Sequence, residues 1–257
     1  MFSFFRNRRR RKLLDEPFPP WWDGILKRNV AHYSRLSPPE QAKLRGILRI
    51  LIAEKKWEGV GGMHCTDEVK VTIAAQAALL LLGIEHDYYA RVVSIVVYPD
   101  NFRTPNAEDD WEDDELSDSI LSGQAVYRGP VILAWRDVIE EGRDPERGVN
   151  VVVHEFAHQL DFLDNTSNGT PPLDDPALAA HWQPVMQAAF DRHRAELKRG
   201  DETYFSEGAG ENEGEFFADA SEAFYCDPHG LREVEPEVFE LLKAYYRVDP
   251  QAWFPTE

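Results

Sequence analysis

Residues 150–161 read NVVVHEFAHQLD. Asn150 is a good helix N-cap, and the dozen residues after it are compatible with a helix. On a helix, residues four apart share a face, with Cβ atoms about 5–6 Å apart. His154 and His158 are therefore placed to converge on one ion, and imidazole nitrogen suits zinc. Glu155 stands one step, about 100°, around the helix, where it flanks such an ion without ligating it and can take a proton from a bound water. The rival reading is an ordinary amphipathic helix carrying polar residues, because His-Glu-x-x-His fixes only three positions. The surroundings favour the metal: Val151, Val152, Val153, Phe156, Ala157, Leu160 and Phe162 make the helix apolar on most sides, and burying polar groups there without a partner is costly.

Catalytic zinc takes three protein ligands and leaves one position open. Asp164, six residues after His158, competes for the third place. In metzincin-like enzymes a glycine three residues earlier bends the chain back, but here that position is Asp161, and six residues of unbroken helix turn Asp164 about 240° away from His158. The second rival is Glu215 in NEGEFFADASEAFY (212–225), a helix start with Asn212 as N-cap and Phe216, Phe217, Ala220 and Phe224 as its buried stripe. At the third helical position Glu215 fits a capping box folded back on Asn212, and it equally fits an inward-facing ligand; spacing leaves both open. Asp219, one turn later, and Asp161 are the carboxylates placed to accept a proton from a ligand histidine and hold its tautomer.

The rest of the chain frames this motif. Its 257 residues and 43% hydrophobic content support a sizeable core. Two cysteines without a Cys-x-x-Cys rule out a thiolate zinc site and fit a reducing cytoplasm. The net charge of −18 argues against direct nucleic-acid binding. FRNRRRRKLL runs against that trend with six basic side chains; without them 46 acids face 22 bases. The order of MFSFF and this basic run is wrong for a secretory signal, so residues 1–20 read as a basic flexible arm. Residues 21–257 read as a single compact domain, helical over about 21–90 and catalytic over about 91–257. The longest apolar run, residues 73–84, is shorter than the roughly 20 residues a membrane span needs.

Residues 37–59 predict a helix capped by Ser37, and TDEVKVTIAAQAALLLLGI a central helix capped by Thr66. RVVSIVVYP predicts a buried strand, and GQAVYRGPVILAW a hairpin whose exposed edge suits substrate pairing or plain solvent. The eight carboxylates of EDDWEDDELSD (108–118) read as a solvated loop, since EF-hand spacing is missing. The tail from residue 176 reads as largely helical. The fold class is α+β, predominantly helical, with a small sheet beside the active-site helix.

HEFAHQLD, followed some sixty residues later by NEGEFFADASEAF, resembles the Mlc titration factor A family of bacterial zinc peptidases. That family is in turn similar to the catalytic domain of anthrax lethal factor. IAAQAALLLLGI, VVYPDNF, GQAVYRGPVILAW and GVNVVVHEFAHQLD follow in the family's order, over roughly residues 20–230. The resemblance implies a gluzincin-like core, one zinc ion held by His154, His158 and Glu215, and Glu155 as the catalytic base. It also implies aminopeptidase-like hydrolysis of peptides and capture of the transcriptional repressor Mlc, which relieves repression of sugar-transport genes. The chain departs from the family at Gly208, in TYFSEGAGENEGE, where a tyrosine usually donates to the oxyanion; Tyr204 is the nearest substitute. Losing one such donor typically costs about 10²–10³ in turnover. Two alternatives follow: a binding protein with a structural or vestigial zinc site, or a scaffold with no metal.

Overall fold

The computed structural model describes residues 2–100 and 129–254. Among these residues the chain forms eleven α-helices and three short strands. In order they are α1 (Phe2–Asp15), α2 (Pro20–Asn29), α3 (Ala31–Arg35), α4 (Pro38–Glu54), β1 (Lys56–Gly59), α5 (Asp67–Leu79), β2 (Ser94–Tyr98) and β3 (Val131–Ala134). There follow α6 (Trp135–Arg143), α7 (Val151–Asp161), α8 (Pro176–Arg199), α9 (Glu213–Cys226), α10 (Pro228–Val234) and α11 (Pro236–Tyr246). The architecture is the predominantly helical α+β class that the sequence predicts, and no helix among the described residues is long and apolar enough to cross a membrane.

α5 is the axis of the core. Thr66 caps it, accepting from the Val69 amide, and Ile73, Ala74, Ala75, Ala77, Ala78 and Leu79 are all buried, as an all-round apolar helix must be. α2, α4, α6 and α7 all pack against α5. At the start of α4 the Glu40 carboxylate accepts from the Ser37 amide at 2.8 Å and from its hydroxyl at 2.6 Å. The predicted helix over 37–59 ends earlier, at Glu54. The apolar spacing stops at Ile52, Lys55 is extended, and residues 56–59 instead pair with β2, Trp57 opposite Ile95.

The sheet is parallel throughout, in the order β1-β2-β3. Ile95 and Val97 of β2 and Val131 and Leu133 of β3 face the core. β3 runs directly into α6, and the first half of the predicted hairpin (123–128) lies outside the described residues, as does the acidic stretch 108–118.

The expectation of a flexible N-terminal arm is corrected by α1. Arg10 turns inward and is buried. Its Nε and Nη2 form a fork onto the two carboxylate oxygens of Glu54 at 2.8 and 2.7 Å, and its Nη1 reaches Asp87 at 2.5 Å. The Tyr88 ring lies 4.4 Å beneath the guanidinium. A block of like charges is held in place because acids from α4 and the loop before β2 neutralise its one inward member; bidentate pairing of this kind is the strong form of the bond. Removing one partner of a buried pair leaves the other uncompensated. Arg10→Ala should therefore lower the free energy of unfolding by about 2–3 kcal/mol in a denaturant titration, while Arg8→Ala, on the exposed face, should leave the midpoint unchanged.

Candidate metal centre

α7 begins where the sequence places it. Gly148 takes a left-handed turn (φ +77°), and the Asn150 side chain then accepts from the Val153 amide at 3.0 Å. The helix ends at Asp161, passes through a short 3-10 turn over Phe162–Asp164, and reverses at Asn165, whose φ is +75°. α9 packs against α7 more extensively than any other pair of elements among the described residues. Its own cap is the Asn212 side chain, which accepts from the Glu215 amide at 3.0 Å.

That cap leaves the Glu215 carboxylate free to reach across. Its Oε2 lies 3.2 Å from His154 Nε2 and 3.3 Å from His158 Nε2, and the imidazole centroids are 5.0 Å apart. Ligand bonds of about 2.0–2.2 Å in a tetrahedron imply edges of about 3.3–3.6 Å between donor atoms. Two imidazoles and a carboxylate at these separations fit a zinc ion. Asp164 is not among them: it accepts from the Thr166 amide and hydroxyl at the exposed end of the turn.

The electrostatics of the cluster call for positive charge. Burial disfavours a charged His154, but hydrogen bonds to Glu215 and Glu222 overcome that and lift its pKa to about 10. Burial likewise raises the Glu215 pKa, but the two imidazoles outweigh it and hold the carboxyl well below the usual range. The proton held on His154 thus does what a divalent cation would do. Glu155 faces the opposite balance: burial raises its pKa, and the imidazoles only partly offset the shift.

The remaining sequence-predicted residues are placed as follows. Asp219 accepts from the Ser206 amide at 2.8 Å, and one of its oxygens lies within 4.8 Å of donor atoms of His154 and Glu222. Asp161 accepts from the Gly169 amide at 3.0 Å; burial raises its pKa to about 6, and the Gly169 and Thr170 amides offset part of that rise. It braces the loop after α7 and is not hydrogen-bonded to an imidazole. Gly169 (φ +68°) allows this loop to pass close to α9, since a Cβ there would lie 2.3 Å from the Glu213 carbonyl oxygen. Tyr204 is not brought to the cluster: its hydroxyl donates to Asp227 at 3.0 Å, beyond the far end of α9 and about 18 Å of helix from Glu215.

Two carboxylates escape the sequence reading. Glu222 lies with its Oε2 3.3 Å from His154 Nδ1, and its other oxygen accepts from the Asn150 amide. It stands seven residues after Glu215, two turns along the same face, so helical spacing carried the signal. Glu141 of α6 accepts from the Val151 amide at 2.6 Å; nothing in the local sequence marks it.

A helical domain that gathers His-Glu-x-x-His and a glutamate from a second helix in this geometry has the metal-site pattern of a metallopeptidase. Residues 4–247 match the family model described as Glucose-regulated metallo-peptidase M90. The chain is 32% identical to an uncharacterised protein of Synechocystis sp. over 94% of its own length and 89% of that protein's. It is 30% identical to Mlc titration factor A of Yersinia pestis over 92% and 87% of the two lengths, and equally to the protein of that name from Yersinia pseudotuberculosis. The chain belongs to the glucose-regulated metallo-peptidase M90 family. The match takes in most of α1, so the basic segment lies within the resemblance and not outside it.

Glu141 gives this region a pH signature. Burial lifts its pKa from the ordinary 4.5 to about 7; the Val151 amide pulls it down, and the charge of Glu222 adds to the rise. Between those two pH values the folded state holds a proton that the unfolded chain releases, so this group's contribution is most favourable below pH 4.5 and declines as pH rises to 7. Chemical unfolding of wild type and Glu141→Gln, followed from pH 5 to 8, should show the wild type losing stability relative to the variant as pH rises.

Proposed function

We propose that this chain is a zinc-dependent peptidase, aminopeptidase-like in its preference for small substrates, with His154, His158 and Glu215 as the ligands of one zinc ion. The observation that carries the reading is the convergence of two Nε2 atoms on one carboxylate oxygen, at 3.2 and 3.3 Å, with all three atoms within 4.8 Å of one another. A bound zinc ion supplies Lewis acidity and lowers the pKa of its water toward about 7. Glu155 would serve as the general base of hydrolysis and would then return the proton to the leaving amine; its burial, which raises its proton affinity, suits both halves of the task. β3 packs beside α7 and has no strand on its outer side among the described residues. That edge suits an extended peptide joining by strand addition.

A second reading is favoured by the oxyanion side of the site, where Gly208 supplies no donor and the Tyr204 hydroxyl is engaged by Asp227. On this reading the chain's main task is to capture a transcriptional repressor, as the name Mlc titration factor A suggests for its relatives, with hydrolysis weak or secondary. A strongly acidic surface would speed encounter with a basic DNA-binding protein.

Glu155→Gln separates the two. It should retain one zinc per chain by metal analysis while hydrolysis of aminoacyl nitroanilides falls about 10²–10⁴-fold; hydrolysis at the wild-type rate would remove Glu155 from the role. Undiminished repressor pull-down and biological output by the same variant would favour capture as the task. A Cβ at Gly208 would meet only the Ser206 hydroxyl, at 3.6 Å, so a larger residue can be started there. Gly208→Tyr should raise kcat by up to about 10²-fold if it restores the missing donor, and steady-state kinetics on the same nitroanilides will show whether it does.

A further inference from the structure

Behind the metal-facing side of His154 lies a buried polar chain that no part of the proposed reaction uses. Glu222, 7% exposed, presents one oxygen to His154 Nδ1 at 3.3 Å and the other to the Asn150 amide. Asn150 is fully buried. Its Oδ1 caps α7 through the Val153 amide, and its Nδ2 donates to Gln76 Oε1 at 2.7 Å. Gln76, also fully buried, donates to the carbonyls of Val138 at 3.1 Å and Thr72 at 3.3 Å. A buried amide left unpaired costs about 1–3 kcal/mol, and here both side-chain amides are satisfied. Gly142 makes the approach feasible, since a Cβ there would lie 2.7 Å from Gln76 Nε2.

We infer that Glu222 is the positioning residue that fixes which nitrogen of His154 carries a proton, with Asn150 and Gln76 holding the Glu222 carboxylate in place. The Glu222 oxygen facing Nδ1 acts as an acceptor, so that nitrogen carries a hydrogen; without a cation Nε2 also carries one toward Glu215, and that is the hydrogen a cation would replace. Nε2, which faces Glu215 and His158, is then the nitrogen whose lone pair is offered to a cation. A metal-ligating histidine normally donates its other N–H to such a partner, which sets tautomer and ring orientation. Asp219, the partner that sequence spacing suggests, has one oxygen occupied by the Ser206 amide. This inference rests on the zinc-site reading above.

Glu222→Gln tests it with almost no change of shape. A glutamine has one acceptor and one donor. If its oxygen stays on the Asn150 amide, its NH₂ faces Nδ1 and demands a lone pair there, which moves the hydrogen to Nε2. Competition with a chelating dye should show zinc bound about 10–100-fold more weakly, with the thermal midpoint of the metal-free protein little changed. Glu222→Asp, still acceptor-only, should recover part of the loss. Wild type should show a downfield imidazole proton resonance assigned to His154 Nδ1–H, with and without zinc, and Glu222→Gln should lack it. Zinc affinity within twofold of wild type in Glu222→Gln, or no Nδ1–H resonance in wild type, would overturn the inference. Wild type that takes up no zinc would sink the metal reading instead, and the metal-free resonance would still decide the assignment for Glu222.

Discussion

The packing of α7 on α9 brings four carboxylates, Glu155, Glu215, Asp219 and Glu222, around two imidazoles on a largely buried surface. Like charges in a poorly solvated site oppose one another and raise each other's pKa values. The arrangement holds only with compensating positive charge, whether a proton on His154 or a divalent cation. That one requirement explains why the histidines sit where they do, and why Glu215 leaves its own helix cap to Asn212. It also accounts for the opposite shifts at Glu215, whose proton affinity falls, and Glu155, whose proton affinity rises.

The parts of the molecule that local chemistry dictates were legible in the sequence. Asn150, Thr66 and Asn212 cap the helices they precede, and the apolar run after Ile73 is the buried axis of the core. The structure brings His154, His158 and Glu215 together; spacing alone does not tell a ligand from a cap at Glu215, and only the family resemblance singles it out. What local patterns do not determine was missed. β1 looks like the end of a helix until β2, some forty residues later, offers it a ladder. The helical arm depends on Glu54 and Asp87, which are far from it in sequence. One helical turn from Glu215 points to Asp219, and Glu222, a further turn along, goes unnoticed. The structure favours two turns, because Asn150 anchors the longer reach.

One side of the cluster is defined by two imidazoles and the Glu215 carboxylate. On the proposed peptidase reading, hydrolysis would also call for a donor to the oxyanion. Gly208 has no side chain to offer one, and the Tyr204 hydroxyl is committed to Asp227. How vigorous hydrolysis would be, against repressor capture, turns on that difference.

The hydrogen bond between Gln76 and Asn150 joins residues 74 apart, that between His154 and Glu222 spans 68, and that between His154 and Glu215 spans 61. Contacts of such long range form late, after shorter loops have closed. A newly made chain thus carries two histidines at helical spacing long before they meet Glu215, and any selective uptake of an ion would belong to the finished fold. Metal would be loaded into this protein as cargo into a completed vessel, not recruited as the seed around which it condenses.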